Sequence, residues 1–279
     1  MDFLILDVLS RDWSPAYLKR FFIEKIKPEA GFCTITGSEA KHIYKVLRMG
    51  RGDRLILMDN KGARFNAVIE SADHRQVRVA IEEPLPSPAP SPIKITLLQS
   101  VLKSTPMDYL IQKTSELGVD LIVSFFSERT VVRPDKEGYM ARVRHWREVA
   151  RSAAKQSGRI TPANIYPLNA FQDLADHWGD GHALKVILWE GEESLSLKRV
   201  VRSTLSPQGE EVVANDTPPY DEFIGMVGPE GGFSEGEVEL AKKWGFIPAS
   251  LGQRILRAET AAITMVALIQ YEWGDLSLP

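Results

Sequence analysis

The sequence predicts a two-part α/β protein, with a C-terminal domain built on a parallel sheet and a small β-barrel before it. Three observations lead there. From Ile93 onward, short apolar runs alternate with segments of helical periodicity, the pattern of a parallel sheet covered by helices on both faces. Before residue 84 the chain reads as short strands and one helix. Between the two, Pro84, Pro86, Pro88, Pro90 and Pro92 place proline at every second position. That spacing forbids a helix or a central strand and makes 84–92 an extended, semi-rigid spacer. The expected domains are therefore 1–83 and 93–279.

In the first domain, residues 20–26 and 31–36 are strand-like. Ser38 is placed to cap a helix whose Ile43, Val46 and Leu47 share a face. Residues 54–58 and 63–69 are strands around Asn60-Lys61-Gly62, a hairpin signal, and 76–82 alternates as a further strand. Phe21, Phe22 and Tyr44 are candidates to stack on bases, and Phe21 and Phe22 serve equally well as core.

In the second domain, residues 93–99 form an apolar strand. Pro106 suits the first turn of a helix with Ser104 or Thr105 as cap. Met107, Leu110, Ile111, Thr114 and Leu117 form its inner face, and Gly118 closes it. A buried strand follows at 121–126, then a long helix over 139–156 with Val143, Trp146, Ala150 and Ala153 inward. Its other face carries Arg142, Arg144, Arg147, Arg151 and Lys155, a one-signed surface suited to phosphate or else simply solvated. Strands at 184–189, 223–227 and 247–251 complete the sheet. Ser234 and Glu237 form a capping box that starts a helix over 234–244. The last helix, 257–273, is apolar nearly all round, so it must be buried in its own core or against a second subunit.

Two loops at strand ends stand out. Val227-Gly228-Pro229-Glu230-Gly231-Gly232-Phe233-Ser234 is a glycine-rich turn from strand to helix. It lacks the lysine of a phosphate loop and the GxGxxG spacing, and Glu230 would repel a pyrophosphate. A ligand with a positive centre, or one held by neutral backbone groups, fits it better; an ordinary strand-to-helix turn is the other reading. The second loop, Leu251-Gly252-Gln253-Arg254-Ile255-Leu256-Arg257-Ala258-Glu259-Thr260, mixes backbone-rich and charged residues.

Charge is uneven along the 279 residues. The net formal charge is −3, yet residues 17–80 hold 13 Lys and Arg against 7 Asp and Glu, and residues 129–159 hold 9 against 3. Residues 190–240 reverse this, with 3 against 12. Two basic regions on a mildly acidic protein point to a polyanionic partner. The single cysteine, Cys33, excludes an internal disulfide and fits a reducing compartment. The first ten residues lack the basic lead of a signal peptide, and the longest apolar run, 261–269, is too short to span a bilayer. A cytoplasmic protein without membrane contact is expected, and no metal site is indicated.

Taken together, the segments GPEGGFSEGE and LGQRILRAETA are similar to those of the SPOUT methyltransferases that modify ring nitrogen 3 of a uridine in bacterial small-subunit (16S) ribosomal RNA. Further matches are Lys19-Arg20-Phe21-Phe22, His42-Ile43-Tyr44-Lys45-Val46-Leu47-Arg48, Gln112-Lys113-Thr114-Ser115-Glu116-Leu117-Gly118-Val119, Arg129-Thr130, and Ala153-Ala154-Lys155-Gln156-Ser157-Gly158-Arg159. The chain departs from the family at Lys41, where many members have histidine, and at Ala258, where many have threonine.

The resemblance implies S-adenosylmethionine as cofactor, a C-terminal domain with a trefoil knot, a PUA-like N-terminal barrel and a homodimer. It assigns the cofactor to Trp189, Glu190, Val227, Gly228, Pro229, Glu230, Gly231, Gly232, Leu251, Gly252, Ile255, Leu256 and Thr260. RNA, free or in the small ribosomal subunit, falls to Lys19, Arg20, His42, Lys45, Arg48, Arg129, Arg147, Arg151, Gln156 and Arg159. A sulfonium cation without phosphates agrees with a glycine loop that contains Glu230 and no lysine. Methylation at nitrogen 3 removes a proton and spreads charge to the flanking carbonyls, which suits Arg257 as a cationic donor and Glu259 or Glu230 as proton acceptor. A structural ion pair is the alternative for Arg257 and Glu259. Another SPOUT RNA methyltransferase, or a non-enzymatic RNA-binding ribosome-assembly factor, remains open on the sequence alone.

Overall fold

A computed structural model of the chain describes residues 18–23, 25–59, 62–86, 89–175, 183–203 and 219–276. The hairpin residues Asn60 and Lys61, the spacer residues Ser87 and Pro88, and the first seventeen residues lie outside these. The chain divides into two compact units, Met1–Pro88 and Ala89–Pro279.

In the first unit β1 (Lys19–Ile23), β2 (Phe32–Thr36), β3 (Arg54–Asp59), β4 (Arg64–Ala72) and β5 (Gln76–Pro84) make one sheet in the order β1-β3-β4-β5-β2. β1 runs parallel to β3 and the other pairs are antiparallel. Alternate residues of these strands, among them Ile35, Leu55, Leu57, Ala67, Ile69, Val77 and Val79, enter one core. The β4–β5 ladder slips between Phe65 and Ala67 and again between Ile69 and Ser71. Such irregularities bend a sheet around its core. Phe21 and Phe22 are 2% and 6% exposed, which settles them as core and removes them as base-stacking candidates.

The helix of this unit differs from expectation. It begins at Gly37 after an uncapped Thr36, so Ser38 is not its cap, and α1 (Gly37–Lys41) runs on into a π-helical turn, His42–Val46. There the Leu47 N–H donates to the His42 carbonyl at 2.9 Å. The wider turn shifts the register. Ile43 is fully buried as expected, but Val46, expected beside it, is 67% exposed. Cys33 sits half-buried against the core, and burial pushes its thiol up from the usual range, as suits a packing residue.

The second unit is a six-stranded sheet, all parallel: β6 (Lys94–Ser100), β7 (Leu121–Phe125), β8 (Asn164–Pro167), β9 (Ala183–Leu188), β10 (Glu222–Val227) and β11 (Ile247–Ala249). Their order is β11-β9-β10-β6-β7-β8. The chain builds outward from β6 through β7 to β8, then crosses to form the other half, so the order reverses between β6 and β10. Open α/β sheets take ligands at such a reversal, outside the carboxyl ends of the strands.

Among the described residues five helices cover the sheet: α2 (Ser104–Glu116), α3 (Lys136–Ser157), α4 (Leu197–Ser203), α5 (Glu235–Lys243) and α6 (Ala258–Trp273). Successive strand residues serve opposite faces. Ile95, Leu97, Ile122 and Phe223 pack with Met107, Trp146 and Met265, while Leu98, Val123, Ile224 and Met226 pack with Phe171, Val238 and Ala241. Sequence reading missed β8, a four-residue strand in which only Ile165 is buried, and α4. It placed α6 correctly, but only one side of that helix is covered: Ala262, Met265, Val266, Ile269 and Trp273 are buried, whereas Leu268 and Tyr271 are 41% and 62% exposed. Among the described residues no helix is long and apolar enough to cross a membrane.

Candidate active site

The carboxyl ends of β6, β9, β10 and β11 surround a cavity of about 1120 Å3. β9 contributes Trp189 and Glu190. β10 contributes Val227, Gly228, Pro229, Glu230 and Gly232. The loop after β11 contributes Leu251, Gly252, Ile255 and Leu256, and the entry to α6 contributes Arg257 and Glu259. Gly231 and Thr260, also expected to touch a cofactor, lie off this wall. Gly231 backs onto Arg129, and Thr260 is exposed on the first turn of α6. Residues not anticipated are Lys103 and Pro106 at the start of α2, and Glu192, Glu193, Ser194, Ser196 and Arg199 after β9. The signal for the second group was the Glu190-Gly191 turn at a strand end. The segment beyond that turn is tied to β11 by Ser250 N–H to Leu195 carbonyl at 2.9 Å and Leu197 N–H to Ser250 carbonyl at 2.8 Å.

The glycine loop after β10 is fastened from several sides. The Gln99 amide donates to the Gly228 carbonyl at 3.2 Å. The Glu230 carboxylate accepts from the Lys103 backbone N–H at 3.1 Å, which joins the loop to the start of α2. Arg129 donates to the Gly231 carbonyl at 3.1 Å. Ser234 and Glu237 form the expected capping box, and the other Glu237 oxygen accepts from the Glu128 N–H at 2.9 Å. Gly232 holds φ +67°, a conformation costly for a β-branched residue. Gly228 lies so near Phe233 that a Cβ would come within 3.2 Å of its ring.

The loop after β11 is built the opposite way. None of its backbone groups from residue 251 to 256 makes a backbone hydrogen bond among the described residues. Ile255 is 84% exposed. These free amides and carbonyls border the cavity and suit the polar edge of an adenine ring. Across from them stand the carboxylates of Glu190 and Glu230, with no lysine in the glycine loop. An adenine-bearing cation such as S-adenosylmethionine fits this set.

Arg257 is the extended residue just before α6, with φ −61° and ψ 151°. Neither it nor Glu259 has a side-chain partner among the described residues, so the structural ion pair weighed from sequence is not formed. Both side chains are left for a ligand at the cavity edge.

The residues expected to meet RNA fall into two groups. Lys19, His42, Lys45 and Arg48 are exposed on the first unit, and Arg20 is partly buried there. His42 lies edge-on to Phe21 with ring centroids 6.4 Å apart. Tyr44, 45% exposed, is the remaining stacking candidate of the three. Arg48 holds φ +53°, unique among the described non-glycine residues, and such strain collects at working surfaces.

On the second unit the arginines make contacts within the chain, most of them at its surface. Arg147 donates to the Ile165 carbonyl at 3.0 Å, and Arg151 pairs with Glu148 at 3.1 Å. Gln156 is exposed. Arg159 is a correction: its side chain is 17% exposed and holds Asp120 at 3.4 Å and the Ser115 carbonyl at 3.1 Å. It is a structural brace between the end of α3 and the α2–β7 turn. Arg129 is exposed, and its guanidinium also supports the glycine loop.

A parallel sheet with a cavity at its carboxyl edge, following in sequence a β unit that exposes Lys19, Lys45 and Arg48, fits a group-transfer enzyme acting on nucleic acid. Comparison with known proteins gives the family. Residues 89–270 match the RNA methyltransferase domain, and residues 35–82 match the RNA methyltransferase PUA domain. The chain belongs to this RNA methyltransferase family and is an S-adenosylmethionine-dependent RNA methyltransferase with a PUA-like first domain.

Among relatives, it is 30% identical to the ribosomal RNA small subunit methyltransferase E of Bacillus subtilis, over 91% of this chain and 97% of that one. Among solved structures, it is similar to the ribosomal RNA small subunit methyltransferase E of Neisseria gonorrhoeae bound to S-adenosylmethionine. The TM-score is 0.80 and the identity 29%, over 93% of this chain and 99% of that one. A putative methyltransferase of Legionella pneumophila with the same cofactor bound gives 0.81 and 30%, with the same coverage.

Proposed function

We propose that this protein methylates ring nitrogen 3 of a uridine in small-subunit (16S) ribosomal RNA. The name carried by its relatives and the matching motifs around both loops support the substrate. The observation that carries the chemistry is the pair Arg257 and Glu259, unpartnered at the edge of the cavity.

Bound S-adenosylmethionine supplies a methyl group on a sulfonium centre. The protein's part is to hold the base in line and manage charge. The cavity of about 1120 Å3 has room for a uridine beside a cofactor, and a base must leave its stack to reach such a site. Arg257 donates to a uracil carbonyl as negative charge develops there. Glu259 takes the nitrogen 3 proton, directly or through water. Glu230 is the lesser candidate, because one of its oxygens already receives the Lys103 N–H.

The test is methyl transfer to 16S ribosomal RNA with the product mapped by mass spectrometry. Wild type yields 3-methyluridine at one site. Arg257→Ala lowers kcat by roughly 10² to 10³ while cofactor affinity holds. A product methylated on ribose, or on another base, contradicts the assignment.

The homodimer belongs to the same proposal, as do the trefoil knot and a cytoplasmic location. The exposed Leu268 and Tyr271 on α6 support a subunit contact through the second unit. Analytical ultracentrifugation at micromolar concentration shows a dimer if this is right and a monomer if it is wrong.

A further inference from the structure

We propose that Gln99 is a positioning residue for the cofactor, a buried clamp that turns the Gly228 N–H into the cavity. The proposal rests on the assignment of the glycine loop to S-adenosylmethionine. Gln99 is fully buried at the end of β6 and stays behind the cavity wall, of which Val227 and Gly228 are part. Its Nε2 lies 2.9 Å from the Ser100 carbonyl, 3.2 Å from that of Gly228 and, more weakly, 3.5 Å from that of Val227.

Its Oε1 is buried with no hydrogen-bond partner. That is unfavourable, but the opposite orientation would set an oxygen against three carbonyl oxygens. A side chain kept for packing alone needs no amide. The orphaned oxygen marks one kept for its donor.

The consequence lies on the far side of the peptide. In a planar trans peptide the C=O and N–H point in opposite directions. The Val227 carbonyl faces β6 and lies 3.5 Å from Gln99 Nε2, so the Gly228 N–H points the opposite way. That N–H makes no backbone hydrogen bond among the described residues. The next residue, Pro229, has no N–H at all, so Gly228 presents a single aimed donor. Its natural partner is an acceptor on the ligand: a hydroxyl, a carboxylate or a ring nitrogen.

The experiment is calorimetric titration of the full-length protein with S-adenosylmethionine from about pH 5 to 8, where an introduced carboxyl titrates. Gln99→Met keeps the volume and removes the donor. Its affinity should fall about ten- to a hundredfold, with the melting temperature and the binding of a ribosomal RNA fragment nearly unchanged. Gln99→Glu adds a readout that packing alone cannot give. Ionised, its carboxylate is repelled by the carbonyls; protonated, it regains one donor, so affinity should recover as pH falls, beyond any change in wild type. Wild-type affinity in Gln99→Met overturns the clamp, and so does a Gln99→Glu affinity that ignores pH. If Gln99→Glu does not fold, Gln99→Met decides. Normal cofactor binding by Gly232→Val is a different failure, since it overturns the loop assignment itself.

Discussion

The two loops that face each other across the cavity are made by opposite means. The glycine loop after β10 is tied by Gln99, Arg129, the Lys103 N–H and the Ser234–Glu237 box. Among the described residues the loop after β11 has no backbone hydrogen bond from residue 251 to 256, and its Ile255 stands in solvent. One wall is held by the protein's own groups, and the other leaves its backbone groups open toward the cavity. The difference separates two tasks. In the proposed function, the braced wall would fix where the reactive centre sits, and the open loop would let ligand binding order the segment that ends at Arg257. Binding energy from a remote part of the cofactor then helps to place the group that meets the base.

The largest expected effect comes from breaking the finished wall. Gly232→Val forces a β-branched residue to φ +67° and aims it at Glu190. Cofactor affinity should fall by roughly two orders of magnitude or more, with the far-ultraviolet circular dichroism of the fold preserved. If calorimetry gives wild-type affinity, the rigidity of this wall is unimportant and the comparison fails.

A second effect should appear in stability and spare cofactor affinity. Tyr139, under the end of β7, is 4% exposed, with its hydroxyl 2.9 Å from the Ser124 carbonyl and 3.1 Å from that of Leu168. Burial pushes its phenol up to about 12 from 10.0. The folded state therefore holds this proton more tightly than the unfolded chain does. The stability concerned is complete below pH 10 and is lost as pH rises through about 12, a loss on the order of 2–3 kcal/mol. Tyr139→Phe should be less stable at neutral pH, from its missing hydrogen bonds, yet decline less steeply over that window. Parallel alkaline profiles for the two proteins would contradict this.

Much of this was legible in the sequence, for identifiable reasons. The strand-to-helix alternation, the capping box and the two glycine loops are local patterns, and the sheet realises them. The register of the first helix was not legible, because nothing in His42–Val46 announces a wider turn. The inward role of Arg159 and the loop contact of Arg129 were hidden as well. A basic residue on a basic stretch reads as surface until the fold brings carbonyls to it. Nor could the sequence reveal the buried hydroxyls of Ser100, Ser127 and Thr130, which meet within 2.9 to 3.3 Å from two different strand ends.

That redistribution of arginines sets the smallest effect. Arg147 and Arg151 already have partners within the chain at its surface and Arg159 is braced inside it, whereas Lys45 and Arg48 of the first unit are exposed with no side-chain partner among the described residues. Neutralising Lys45 and Arg48 together should flatten the salt dependence of log affinity for RNA by about 1.5 units if both touch phosphate. Neutralising Arg147 and Arg151 should change the slope by less. The reverse order in filter-binding assays would return RNA recognition to α3.

The contrast between the loops is tested most directly by hydrogen exchange of the full-length protein with and without S-adenosylmethionine. The account predicts that amides 251–256 exchange fast in the free protein and become strongly protected with cofactor, while the Gly232 and Ser234 amides, which donate to the Pro229 carbonyl and the Glu237 carboxylate, are protected in both and change little. Equal responses of the two loops, or none in 251–256, would contradict it.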